Sequence, residues 1–145
     1  MKKYSKELQI RWSDIDQNRH LRHSVYYDFG AFIRIEFLTE HGLSSAKMEE
    51  LKTGPVIFRE EAVFKREIRP EEVITIDVEL LASTSDFGRW SLRHHFRKED
   101  GTIAAILNLD GAWIDIEKRK LTIPGELIRN AFDNFPKSPE FKFTK

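Results

Sequence analysis

The chain has 145 residues, the length of one ordinary domain with room for a real core, and it is read as a single domain over 1–145. Lysine plus arginine and aspartate plus glutamate both number 24, so the net charge is zero, which argues against a dedicated binder of nucleic acid or anionic membrane and leaves room only for a local basic patch. Cysteine is absent, which removes a disulfide framework, a thiolate nucleophile and any cysteine zinc site.

The start, "MKKYSKELQIRW", lacks the continuous apolar core of a signal peptide, and no apolar run is long enough to span a bilayer. A cytoplasmic protein is expected, without nucleic-acid or membrane partners. From Tyr4 to Trp12 the even positions Leu8, Ile10 and Trp12 are apolar and the odd ones polar, the period of a half-buried strand that ends at "SDID". A helix is predicted from about Ser24 to His41, stopped by Gly42. Its first half is apolar nearly all round, with Asp28 the only charge, so it must be buried. The second half, with Arg34, Glu36 and Glu40, is expected to emerge into water. "SSAKMEELK" reads as a short capped helical turn.

After Pro55 the period becomes two. Val56, Phe58, Ala62, Phe64 and Ile68 share one parity; Ile74 to Ala82, Trp90 to Phe96 and Ile103 to Leu109 give three further inner faces. "RPEE", "SDFG" and "KEDG" supply the turns. Near Gly111 the apolar parity passes to Ile114 and Ile116, which suggests a bulge. A short helix after Pro124 and a loose lysine-rich end close the chain. One long apolar helix with a sheet of about five long antiparallel strands, each apolar on one face, packs best with the sheet curled around the helix, an α+β architecture.

The order of strand, D-x-D, polar loop with histidine, aromatic helix and long strands resembles the hot-dog fold acyl-CoA thioesterases of the 4-hydroxybenzoyl-CoA thioesterase type. Their motif runs approximately D-x-D-x-x-G-H-x-N-N before an aromatic-rich helix; here Asp14, Asp16, His20 and Tyr26 match it at unbroken spacing. The segment "DGAWIDIEKRKLTIP" is similar to the end of the last strand in bacterial members, so the likeness spans about Leu8 to Pro124. Arg19 stands where the family has glycine, and Arg22 and His23 where it has asparagines. The resemblance implies a hot-dog fold, hydrolysis of an acyl-CoA thioester, coenzyme A as part of the substrate with no separate cofactor, and a homodimer or homotetramer with its active site at the dimer interface. It assigns the catalytic carboxylate to Asp16.

The chemistry also has its own argument. Thioester hydrolysis needs donors for the oxyanion and a carboxylate that attacks or activates water. The first amides of the buried helix offer the donors. Asp16, a few residues upstream, offers the carboxylate as base or nucleophile, against the alternative that it merely caps a turn. His20 is a catalytic candidate that donates to substrate or holds the loop; His23, Ser24 and Tyr27 are substrate-binding candidates, with Ser24 also able to cap the helix. His20 and His23 are three apart, but no further cluster completes a site, so no metal is expected. Asp14 is read as structural, bonding amides of its own loop, and His94, on the inner parity, as a satisfied core histidine or a cavity liner.

Glu60 shares the inner parity of its strand, where an unpaired charge is costly. Either a bulge or edge position turns it to solvent, or it is a third catalytic residue paired with His20, His23 or an arginine. Arg66, Arg69, Lys118, Arg119 and Lys120 are candidate cations for the phosphates of coenzyme A. Two other functions fit the same residues: an acyl-thioester hydratase or dehydratase using His20 and Glu60, and a noncatalytic acyl or aromatic ligand-binding protein.

Overall fold

The structure, a computed structural model, describes residues 3–144. Helix α1 spans Val25–Glu40 and the short α2 spans Ser45–Glu50. The strands are β1 (Ser5–Glu7), β2 (Thr53–Phe64), β3 (Ile74–Asp77), β4 (Glu79–Thr84), β5 (Arg89–Lys98), β6 (Ile103–Asp115), β7 (Lys120–Leu121) and β8 (Lys137–Thr144), with α3 (Glu126–Asp133) before the last. They form one sheet in which β6 lies between β2 and β5, and β5 pairs on its far side with both β3 and β4. All pairings are antiparallel except that of β8 on β4. The sheet packs over α1 in the expected hot-dog arrangement, and α1 meets β2, β3 and β6. No helix among the described residues is long and apolar enough to cross a membrane.

The strongest alternation in the sequence holds: Trp90, Leu92, His94 and Phe96 of β5 are all buried. Gly42 stops α1 at φ +87°, and Ser44 caps α2 by accepting from the Lys47 amide at 3.1 Å.

Several expectations are corrected. The first strand ends at Glu7; Leu8 is buried, but Trp12 sits on a 3₁₀ turn (Trp12–Asp14) and is 92% exposed. Helix α1 is not buried all round, because the sheet covers it from one side only: Asp28, Ala31 and Phe32 are exposed. Conversely, Arg34 turns inward instead of into water, and the second half keeps Phe37 and Leu38 buried.

On β2 the single parity is broken by a bulge at Phe58. Ile57 pairs with Gly111 and Arg59 with Asp110, so one extra β2 residue faces β6 there. Inward positions are therefore Pro55 and Ile57 before it and Glu60, Ala62 and Phe64 after it, opposite Trp113, Gly111, Leu109, Leu107 and Ala105. The irregularity sits across from Gly111 on the partner strand, while β6 keeps its own parity as far as the fully buried Trp113; Ile114 and Ile116 stay half-buried. Gly111 is required because a Cβ there would collide with the Trp90 ring and the Val56 carbonyl oxygen. The predicted strand from Ile74 to Ala82 is two, divided at Val78, and a second shift after Leu80 leaves Ala82 half-buried and buries Ser83. The lysine-rich end is strand β8, paired with β4 from Lys137 to Thr144.

Candidate functional site

The segment between β1 and α1 is built by its aspartates. Asp14 is wholly buried and accepts the Arg11 amide at 2.9 Å, Arg11 Nε at 3.2 Å and Arg11 Nη2 at 2.9 Å. The Arg11 hydrogen bond holds its carboxyl below the usual range against the opposing pull of burial. As expected for a structural residue, Asp14 binds its own loop, and it locks the turn that presents Trp12.

Asp16 governs the next turn. Its Oδ1 accepts from the amides of Asn18 at 2.8 Å and His20 at 3.1 Å, and its own amide donates to the His20 carbonyl at 2.8 Å. Its Oδ2 carries no hydrogen bond among the described residues. Inside this turn Arg19 adopts φ +65°, so the arginine occupies the left-handed geometry that glycine would take without strain. Non-glycine residues adopt it at a cost of about 1–2 kcal/mol. The loop leaves through Leu21, whose amide donates to the Ile68 carbonyl at 2.7 Å and so ties it to the segment after β2.

The buried phenol of Tyr26 is pushed up to about 12, chiefly by burial, with the Asp16 and Glu72 charges adding to it. Tyr26 packs edge-on against Phe64 and Phe96, fixing the helix start between β2 and β5. Ser24 makes no capping bond with its side chain: its Oγ accepts from Arg22 Nη1 at 2.6 Å, while Arg22 Nη2 reaches the Ser13 carbonyl at 3.2 Å. The leading end of α1 thus has no side-chain oxygen of its own over it.

The remaining candidates divide. His20 is joined to Asp16 through the loop backbone, but its ring Nε2 is 2.8 Å from Glu67 Oε2. His23 is exposed at the helix entrance, and Tyr27 is half-buried against the core. Glu60 lies elsewhere: although β2 is bulged and at the sheet edge, its carboxylate turns inward to Arg34 of α1, 3.6 Å away, and to neither histidine. Arg34 in turn donates from Nη1 to His94 Nε2 at 2.9 Å, and His94 Nδ1 donates to the Asp77 carbonyl at 2.8 Å. His94 is a satisfied core histidine. The parity pattern placed Glu60 and His94 inward, but the arginine between them was read as solvent-facing. Among the described residues no group of three or more His, Asp or Glu side chains gathers as a metal site.

Two spaces adjoin these groups. An apolar cavity of about 190 Å³ lies between α1 and the sheet, lined by Ala31, Ile35, Ile57, Trp90 and Phe135 with Arg34 among them. A polar cleft of about 490 Å³ opens beside the Asp16 turn, between Trp12, Asn18, Arg19 and His20 on one side and Arg69, Pro70 and Glu71 on the other. A larger cleft, about 550 Å³, lies at the β3–β4 break; several of its charges are paired with one another, Arg93 with Glu140 and His95 with Asp77, and it lacks the Asp16 turn.

A family model described as the thioesterase-like superfamily matches residues 10–139. No curated protein matches the chain. Among solved structures, the SAV2348 protein of Staphylococcus aureus, in complex with CoA, is 22% identical at a TM-score of 0.82, over 94% of this chain and 88% of that one. The 1,4-dihydroxy-2-naphthoyl-CoA thioesterase of Synechocystis is 11% identical at 0.81, covering 92% and 97%. The DHNA-CoA thioesterase of Staphylococcus aureus is 17% identical at 0.74, covering 83% and 80%.

Proposed function

From the chain's membership of the thioesterase-like superfamily, whose model spans residues 10–139, we propose that it hydrolyses an acyl-CoA thioester to the free acid and CoA. Three structural neighbours lend support at the level of ligand: one is a complex with CoA and two are CoA thioesterases by name. The observation that carries the mechanism is the division of labour within Asp16. One oxygen takes both loop hydrogen bonds and fixes the carboxylate in the turn that precedes α1; the other has no hydrogen-bond partner among the described residues.

In this reading the free oxygen attacks the thioester carbonyl or draws a proton from water that attacks it. The electron pair displaced onto the carbonyl oxygen is received by the leading amides of α1, whose dipole is positive there. The tetrahedral intermediate then expels the CoA thiolate, a good leaving group, which takes up a proton; where Asp16 itself attacked, water hydrolyses the resulting mixed anhydride to release the acid and restore the carboxylate. Tyr27 and Ala31 lie about 6 Å apart along the helix, on a stripe leading to the apolar cavity. A cavity of about 150 Å³ holds benzene, so the space near Arg34 suits a short chain or a single ring. The substrate is presented to a homodimer or homotetramer.

The test is thiol release from a panel of short, medium, long and aromatic acyl-CoAs by wild type and Asp16→Asn. The asparagine keeps an oxygen to accept the Asn18 and His20 amides, so the loop stays folded. Loss of the carboxylate is expected to cut kcat at least about a hundredfold at an unchanged melting temperature. An active wild type with an equally active Asp16→Asn rejects the mechanism. A wild type that binds acyl-CoA yet releases no thiol leaves the noncatalytic ligand-binding protein as the better account. The hydratase alternative loses ground because Glu60 is committed to Arg34 and His20 to Glu67.

A further inference from the structure

Trp12 is an anomaly on this surface. The residue is 92% exposed and its ring makes no aromatic, cation–π or hydrogen-bond contact among the described residues, although a large aromatic side chain gains by burial. It is not there by default of order. The Arg11–Asp14 clamp, three hydrogen bonds to one buried carboxylate, fixes the turn that carries it. Two cations flank it in the polar cleft. Arg19 has no side-chain partner among the described residues, and it is held forward on a strained left-handed backbone. Arg69 has only Glu67, at 3.8 Å. A free indole carried on a fixed turn beside two under-committed guanidinium groups, with Glu71 as the acceptor in the same cleft, matches a purine base carrying phosphates.

We propose that this cleft binds the phosphorylated adenosine end of the CoA thioester: Trp12 stacks on adenine, Arg19 and Arg69 pair with the phosphates, and Glu71 accepts from the exocyclic amine. The proposal rests on the acyl-CoA reading and assigns part of that substrate to residues outside the reacting centre. Asn18 and His20 belong both to the cleft and to the turn built on Asp16, so the nucleotide site is continuous with the candidate catalytic loop. Of the five cations considered on sequence grounds, this selects Arg69; Lys118, Arg119 and Lys120 lie around the β6–β7 turn instead.

Calorimetric titration of the full chain with adenosine 3′,5′-bisphosphate, CoA, ATP and pantetheine tests it without requiring turnover. The variants are Trp12→Ala, Arg69→Ala and Arg19→Gly, the last removing the cation while relaxing the backbone, with Lys118→Ala as the comparator. All are surface changes, and circular dichroism checks that each is folded. The bisphosphate and CoA are expected to bind wild type and Lys118→Ala alike, and to lose roughly tenfold or more in affinity with each cleft variant. Pantetheine is expected to be indifferent to all four. Bisphosphate binding that survives the cleft substitutions, or no bisphosphate binding at all, overturns the site. So does ATP binding as tightly as CoA, which would assign the cleft to free nucleotides, or a change in sedimentation of Trp12→Ala, which would make it a contact between copies. If no acyl-CoA is hydrolysed but the bisphosphate still binds through Trp12, the thioesterase reading fails and the nucleotide site stands.

Discussion

His94 has no exposed surface, and both its ring nitrogens are engaged, Nδ1 with the Asp77 carbonyl and Nε2 with Arg34. The second contact fixes the tautomer: Nε2 faces a guanidinium, which only donates, so the proton resides on Nδ1. Burial, reinforced by the Arg34 charge, pulls the ring down to about 3 from its ordinary 6.5. Between those values the unfolded chain takes up a proton that the folded one refuses. The contribution is therefore complete above pH 6.5 and is lost as pH falls towards 3, at up to about 1.4 kcal/mol per pH unit. Urea unfolding at pH 7 and pH 5 is expected to differ by about 2 kcal/mol from this group. In His94→Gln, whose amide can accept from Arg34 and donate to Asp77, the difference should shrink; an equal acid loss in the variant rules His94 out as its source.

At the scale of elements, Gly30 sets how closely α1 lies on the sheet. A Cβ there would stand 2.5 Å from Leu107 Cδ2 and 3.3 Å from the His94 ring. Alanine gains about 1 kcal/mol of helix propensity over glycine, but overpacking costs about 1–3 kcal/mol. Gly30→Ala is expected to lower the melting temperature, and a rise would mean that the helix backs away freely. The same scale explains what the sequence made legible. β5 alternates without interruption because it has a strand on both sides and its inner face lies in the core, so its parity could be followed from Trp90 to Phe96. Among the described residues β2 pairs only with β6, and an edge tolerates an extra residue, so parity counted across Phe58 assigns Val56 and Phe58 to the wrong face. β8 was missed because its lysines outweighed the alternation of Phe141 and Phe143. At the site, Asp14 and Asp16 were legible because aspartate side chains bond their own loop. Trp12 was not: it continues the apolar period of a strand whose pairing has already ended at Glu7.

On the whole molecule, part of the uncovered apolar surface lies along β2 and the neighbouring face of α1. Phe58, Val63 and Phe64 on β2 are 55%, 42% and 50% exposed, and Phe32 of α1 is 38% exposed. An edge strand of this kind in a lone protomer invites pairing with another chain. The proposed homodimer would cover it, and Val63→Lys, a charge on that edge, is expected to shift sedimentation velocity towards the monomer and reduce thiol release with it. A variant that remains dimeric places the contact on another face.

The bulge on β2 also bears on how the chain can change its length. Its inward residues are spaced two, three, two and two apart from Pro55 to Phe64, and the single odd step contains Phe58. Excising that one residue would leave a uniform alternation in which every inward side chain, Glu60 included, keeps its face and its partner across the ladder. A deletion elsewhere in a strand reverses everything beyond it; here the reading frame of the sheet already holds the spare residue, and the strand can lose it without being rewritten.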